Sequence, residues 1–303
     1  MNRQQLVKKA IRGLDRALST AFLAVLLLLL FFAFYVTSEN HRIVAEASSD
    51  VYQSYKPSAN DISPFRELET INPEVIGWLT VNATKIDYPV VQGKNNEKYV
   101  NTSVAGDFSL SGAIFLDCRN APDFSDTLSI IHGHNMTGDV MFGGIDKYED
   151  PEYFFRHLSG KLFCGDTYYD LTFFSYFRAD GHDDQVYNPR LKAENFDTWL
   201  DHVKDLTVNC TEEFPETGPI LLMSTCASGQ TNERNLLAAT IRPGDAPPPE
   251  NGEAHATHTG TRLRSTGEER SPWPYLISFG IVLIALTAVW FMWKRKREGT
   301  HGE

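Results

Sequence analysis

The chain has 303 residues, 42% of them hydrophobic, and a formal net charge of −11 at neutral pH, enough for one sizeable domain with tails. An acidic balance of this size disfavours a nucleic-acid partner. Four cysteines (Cys118, Cys164, Cys210 and Cys226) at irregular spacing, none of them in a C-x-x-C pair, fit neither a small disulfide framework nor a zinc motif.

Residues 17–37 carry no charge and are long enough, at about 20 residues, to cross a bilayer, and the same holds for 273–293. Basic residues flank each block on its outer side: Arg3, Lys8, Lys9, Arg12 and Arg16 before the first, and Lys294 to Arg297 after the second. The positive-inside rule then predicts a two-pass membrane protein with residues 1–16 and 294–303 cytoplasmic and everything between the spans outside. The first apolar core exceeds a signal-peptide h-region and lacks a small-x-small cleavage site, which favours an uncleaved anchor.

Between the spans, the polar residues 38–60 read as an extracellular stalk, and 61–244 as the one folded domain. Phe65 and Leu68 have helical spacing after Pro64, in a segment that stops before Pro73. Strands are predicted at 75–81, 86–91, 112–117, 127–132, 161–164, 168–177, 219–226 and 236–241, with a helix over 193–206 on the face of Phe196, Leu200 and Val203. Residues 245–272, rich in Pro, Gly, Thr, His and charge, have the composition of a flexible linker. Many short strands and one or two helices predict a mainly β domain, a barrel or sandwich.

The apolar run Leu221-Leu222-Met223-Ser224-Thr225-Cys226 ends in a thiol, and the loop-like residues 227–233 separate it from Arg234. His134 follows the predicted strand 127–132. Acyl transfer by a cysteine needs a thiolate, a proton donor for the leaving amine and a group to hold the oxyanion, and these three residue types supply them. A single cysteine at a strand end is by itself more often packing than a nucleophile. Arg242 competes with Arg234, but eight residues of extended chain carry it up to about 26 Å away. His132 and His134 share a face of an extended segment, yet with Cys226 they lack a fourth metal ligand. No metal or cofactor is expected.

Ser224-Thr225-Cys226 at a strand end, an arginine opening the next strand, Gly133-His134-Asn135-Met136 and the following Met141-Phe142-Gly143 together resemble sortases, the cysteine transpeptidases of Gram-positive surfaces. Asn72 to Leu79, Ile86 to Gly93 and Gly112 to Asp117 are similar to the class B branch in particular. The resemblance implies a seven- or eight-stranded β-barrel with one or two helices between the two membrane helices. It implies that Cys226 is the nucleophile, His134 the general acid/base and Arg234 the oxyanion group, with Asn135 and Thr225 near the substrate. The partners implied are surface proteins or pilins with a C-terminal sorting signal, and an amine acceptor from a cell-wall peptide crossbridge or a pilin lysine. Two departures stand out. The usual Thr-Leu-x-Thr-Cys reads Leu222-Met223-Ser224-Thr225-Cys226, and His132 stands where class B tends to have tyrosine. The C-terminal span is a feature of the pilin-polymerising class C. A plain cysteine peptidase and a non-catalytic tethered scaffold are the alternatives.

Overall fold

The computed structural model describes residues 3–226 and 232–247; the predicted second span, most of the predicted linker and the C-terminal tail lie outside the described residues. Residues 3–42 belong to one compact unit, and a second begins at Ile43. The first is helix α1 (Arg3–Glu46), whose end runs into the second unit. It is long and apolar enough to cross a membrane, and none of its side chains is buried.

In the second unit, β1 (Val75–Val81) and β2 (Asp87–Val91) form an antiparallel hairpin, Trp78 opposite Pro89. Asp87 fixes it, accepting from Trp78 Nε1 at 2.8 Å and Thr80 Oγ1 at 2.7 Å, while Ala83 takes the positive φ that the turn requires. From β2 the sheet continues through β3 (Ile114–Leu116, parallel) and β4 (Leu128–Gly133, antiparallel) to β8 (Ile220–Cys226), which is parallel to β4. It goes on, antiparallel, through β9 (Glu233–Pro243), β6 (Thr167–Asp180) and β5 (Ser159–Cys164), and β5 pairs back onto β1. The ring closes on eight strands, a mixed barrel of the size expected. The short β7 (Thr207–Cys210), unforeseen in the sequence, pairs with Ser175–Phe177 of β6 beyond the stretch held by β5.

Strand alternation divides the apolar residues between two cores. Leu221 and Met223 of β8, with Leu237 and Ala239 of β9, join the core that includes Leu79, Val90, Ile114 and Phe163. Ile220 and Leu222, with Leu236 and Ala238, face the other core under α4 (Phe196–Leu206), which contributes Phe196, Trp199, Leu200 and Val203. Burial on both faces is why these strands read as unbroken apolar runs rather than alternating ones. The helix over Ser63–Ile71 (α2) buries Phe65 and Leu68; a further short one, α3 (Pro151–Arg156), is capped by Asp150, which accepts from the Glu152 N–H.

Residues 49–55, within the segment read as a stalk, form two short 3₁₀ turns, and Tyr52 and Tyr55 are both buried in the first core. The Tyr88 hydroxyl donates to the Ala47 carbonyl at 3.0 Å and accepts from the Met141 N–H at 3.0 Å. A residue of β2 thus ties the segment after α1 to the loop after β4.

Candidate active site

Strand pairing decides which residues meet. The parallel β4–β8 ladder ends at Gly133 opposite Thr225, so His134 and Cys226 each follow the last pair by one residue. On the other side of β8, Cys226 pairs with Arg234. His134, far from the other two in sequence, thereby comes to the same end of three adjacent strands as Cys226 and Arg234. Arg242 does not: it pairs with Asp170 toward the opposite end of β9 and is exposed.

His134 is half-buried, and its Nε2 lies 2.8 Å from the Val100 carbonyl oxygen. A carbonyl only accepts, so Nε2 carries the proton; in the neutral ring Nδ1 is then the basic nitrogen. The Val100 carbonyl is itself held in a crowded loop. A Cβ on Gly112 (φ +60°) would stand 2.3 Å from the Tyr99 oxygen and 2.5 Å from the Val100 oxygen, so only glycine lets β3 begin against that loop. Asn72 anchors the same loop from below, its buried amide donating to the Tyr99 hydroxyl at 2.9 Å and the Val104 carbonyl at 2.7 Å.

The backbone carrying His134 folds back at once. Asn135 bridges Met141, the Phe142 N–H donates to the His134 carbonyl at 3.0 Å, and Gly138, Asp139 and Met141 take positive φ. Two glycines permit this approach: a Cβ on Gly133 would meet the Phe142 ring at 2.7 Å, and one on Gly143 the Met136 oxygen at 1.9 Å. Arg234 is half-buried, opposite Ala179 of β6, with its Nε 2.9 Å from where a Cβ of Gly181 would be.

The two residues expected near substrate sit differently. Thr225 is 2% exposed, its Oγ1 without a hydrogen-bond partner among the described residues. Asn135 directs its amide to the Asp146 carboxylate, at 3.0 Å and 3.2 Å. His132 turns elsewhere from His134, stacking on Tyr187 (ring centroids 6.3 Å apart) and placing Nε2 3.5 Å from Asp117. Tyr187 in turn shares a 2.8 Å hydroxyl hydrogen bond with Ser224. Burial alone would raise the Asp117 carboxyl, but hydrogen bonds from Arg119, His132, the Arg119 backbone and Asn96 outweigh it and hold the group well below the usual carboxylate range. Burial pushes the Cys164 thiol up to about 11, with Asp123 and Glu69 adding to it. That thiol has the wrong surroundings for a nucleophile.

Sequence reasoning passed over Asp146, Asn235, Tyr187 and Val100. Only Asn235 left a signal there, as a polar residue beside Arg234 at the start of an otherwise apolar strand; it is 3% exposed.

No protein-family model matches the chain. Sortase B of Listeria monocytogenes is 30% identical over 174 residues, which make up 57% of this chain and 70% of that protein. A Streptococcus pyogenes class B sortase involved in pilus biogenesis superposes with a TM-score of 0.54 at 34% identity, over 59% of this chain and 97% of its own. Sortase B from the type II pilus of Streptococcus pneumoniae does so with a TM-score of 0.51 at 34% identity, over 59% and 98%. The barrel and these relatives agree: the chain belongs to the sortases, the cysteine transpeptidases, and within them to class B.

Proposed function

We propose that this sortase is membrane-anchored, with its barrel on the outer face, and that it cuts a C-terminal sorting signal through a thioacyl intermediate on Cys226. The observation that carries the assignment is the strand register, which sets Cys226 opposite Arg234 and one residue beyond the Thr225–Gly133 pair that precedes His134. The Cys226 thiolate attacks the scissile carbonyl, and Arg234 holds the oxyanion. His134, made an imidazolium by the proton that the Cys226 thiol loses to Nδ1, gives that Nδ1 proton to the leaving amine as the C–N bond breaks, and the thioester remains. His134 then takes a proton from the incoming amine, whose nitrogen attacks the thioester and releases the thiolate. One imidazole serves both half-reactions.

The acceptor is an amine. The two pilus-linked relatives at 34% identity favour a pilin lysine over a wall-peptide crossbridge. Anchoring rests on α1, and the two-pass topology with both termini cytoplasmic on the charge flanks of the two apolar blocks.

The test is a sorting-peptide library incubated with the purified domain and hydroxylamine, read by mass spectrometry. A hydroxamate product, lost in Cys226→Ala and His134→Ala, is expected. Hydrolysis alone in the presence of amine would indicate a peptidase, and product formation by Cys226→Ala would overturn the assignment. Replacing hydroxylamine by a lysine-containing pilin peptide or by oligoglycine distinguishes the two acceptors.

A further inference from the structure

We infer that Asp146 is a positioning residue for this reaction: it clamps the loop that carries His134 to the strand that carries Arg234. The inference rests on the catalytic reading of those two residues. Asp146 lies in the 3₁₀ segment Gly143–Glu149, directly after the folded-back loop. Its carboxylate receives two side-chain amides. One is that of Asn135, the neighbour of His134, at 3.0 Å to Oδ2 and 3.2 Å to Oδ1. The other is that of Asn235, the neighbour of Arg234, at 2.5 Å to Oδ1. Asn235 is itself fixed from behind, accepting from the Tyr176 hydroxyl at 3.1 Å, and it pairs across β8 with Thr225, the residue before Cys226.

The chemistry explains why the residue is an aspartate. Both partners present N–H groups, and a carboxylate accepts on both oxygens. An asparagine at 146 offers one oxygen and sets its own NH₂ against a neighbouring NH₂. Neither asparagine touches the reacting atoms in this scheme. Their role is to transmit the position of one carboxylate to His134 on one side and to β9 on the other, where a displacement of even an ångström is expensive for a proton transfer and an oxyanion contact.

Polarity reversal tests this. In Asp146→Asn the turnover number for hydroxamate formation should fall about fivefold or more, with KM for the sorting peptide within about twofold. In Asp146→Asn/Asn235→Asp the amide of residue 146 donates to the new carboxylate at 235, which still accepts from Tyr176, while its oxygen accepts from Asn135. Turnover should return to within about threefold of wild type. Wild-type turnover in Asp146→Asn overturns the inference, as does a loss in the single variant that the double variant does not recover. Cys226→Ala is run alongside. An active Cys226→Ala refutes the functional reading itself, whereas an inactive one beside a fully active Asp146→Asn refutes only the clamp.

Discussion

Replacing Tyr88 by phenylalanine isolates one hydrogen-bonding oxygen that serves two segments. Tyr88 is 2% exposed, so the ring stays packed in the variant and no cavity opens. What is lost is the hydroxyl between the Ala47 carbonyl and the Met141 N–H, each at 3.0 Å. Ala47 and Met141 are both 2% exposed, so water cannot easily replace it. An unsatisfied buried donor or acceptor costs about 1–3 kcal/mol. Two of them, partly relieved by local relaxation, amount to about 2–4 kcal/mol, or roughly 5–12 °C in Tm for a domain of about 200 residues. Calorimetry of the domain from Ile43 onward measures the shift, and hydrogen exchange at Met141 locates it. A Tm within about 1 °C of wild type, or a Met141 amide as protected as before, would refute the claim that this hydroxyl ties the segment after α1 to the loop that carries His134.

Gly181→Ala places a methyl against the Arg234 Nε at 2.9 Å; it should lower kcat/KM about threefold to tenfold while Tm stays within about 2 °C, by peptide assay and calorimetry. Asp117→Asn should cost about 2 kcal/mol near neutral pH by urea unfolding, below the range of about 3–5 kcal/mol for a fully buried pair because Arg119 is 45% exposed. The Asp117 carboxyl sits below its unfolded value, so its contribution is fully present above about pH 4 and is lost as pH falls further. Below about pH 4 the wild type should therefore lose stability more steeply than the variant. At pH 8 iodoacetamide should leave Cys164 unmodified in the folded protein, because a thiol pushed up to about 11 is about one part in a thousand thiolate; peptide mapping checks this, and labelling on the folded protein contradicts the burial argument.

The strands were legible in the sequence because both faces of β4, β8 and β9 are buried, and two-sided burial leaves apolar runs that composition detects. The positions of His134, Cys226 and Arg234 at the ends of such runs were legible for the same reason: the runs stop where the chain turns polar. Register was not. Nothing local to Leu221–Cys226 says that, besides β9, its neighbour is β4 in the parallel sense rather than β7, the strand before it in sequence. β7 escaped because Thr207–Cys210 buries none of its four side chains fully and owes its conformation to the edge of β6. Tyr52 and Tyr55 escaped because their polar surroundings outweigh two aromatics in any composition window, although both rings are in the core. Asp146 could not have been picked out among the acidic residues. Its partners, Asn135 and Asn235, come from two strand ends and meet only in the folded barrel.

The loop from His134 to Phe142 is held from several independent directions, and that distribution says where the fold invests its rigidity. Tyr88 of β2 holds its far end at Met141, Lys85 of the β1–β2 turn donates to the Gly138 carbonyl at 2.9 Å, and Lys147 pairs with Asp139. Gly143 allows the chain to close on Met136, and Asp146 takes hold of Asn135 beside the histidine. Each hydrogen bond contributes about 1 kcal/mol net, and only where its loss strands buried partners, as at Tyr88, does removal cost more. Together they restrict the imidazole carrier to one placement relative to a barrel that already fixes Cys226 opposite Arg234. Rigidity of this kind suits the role proposed for His134, a proton carrier that serves a leaving amine and then an attacking amine from one position.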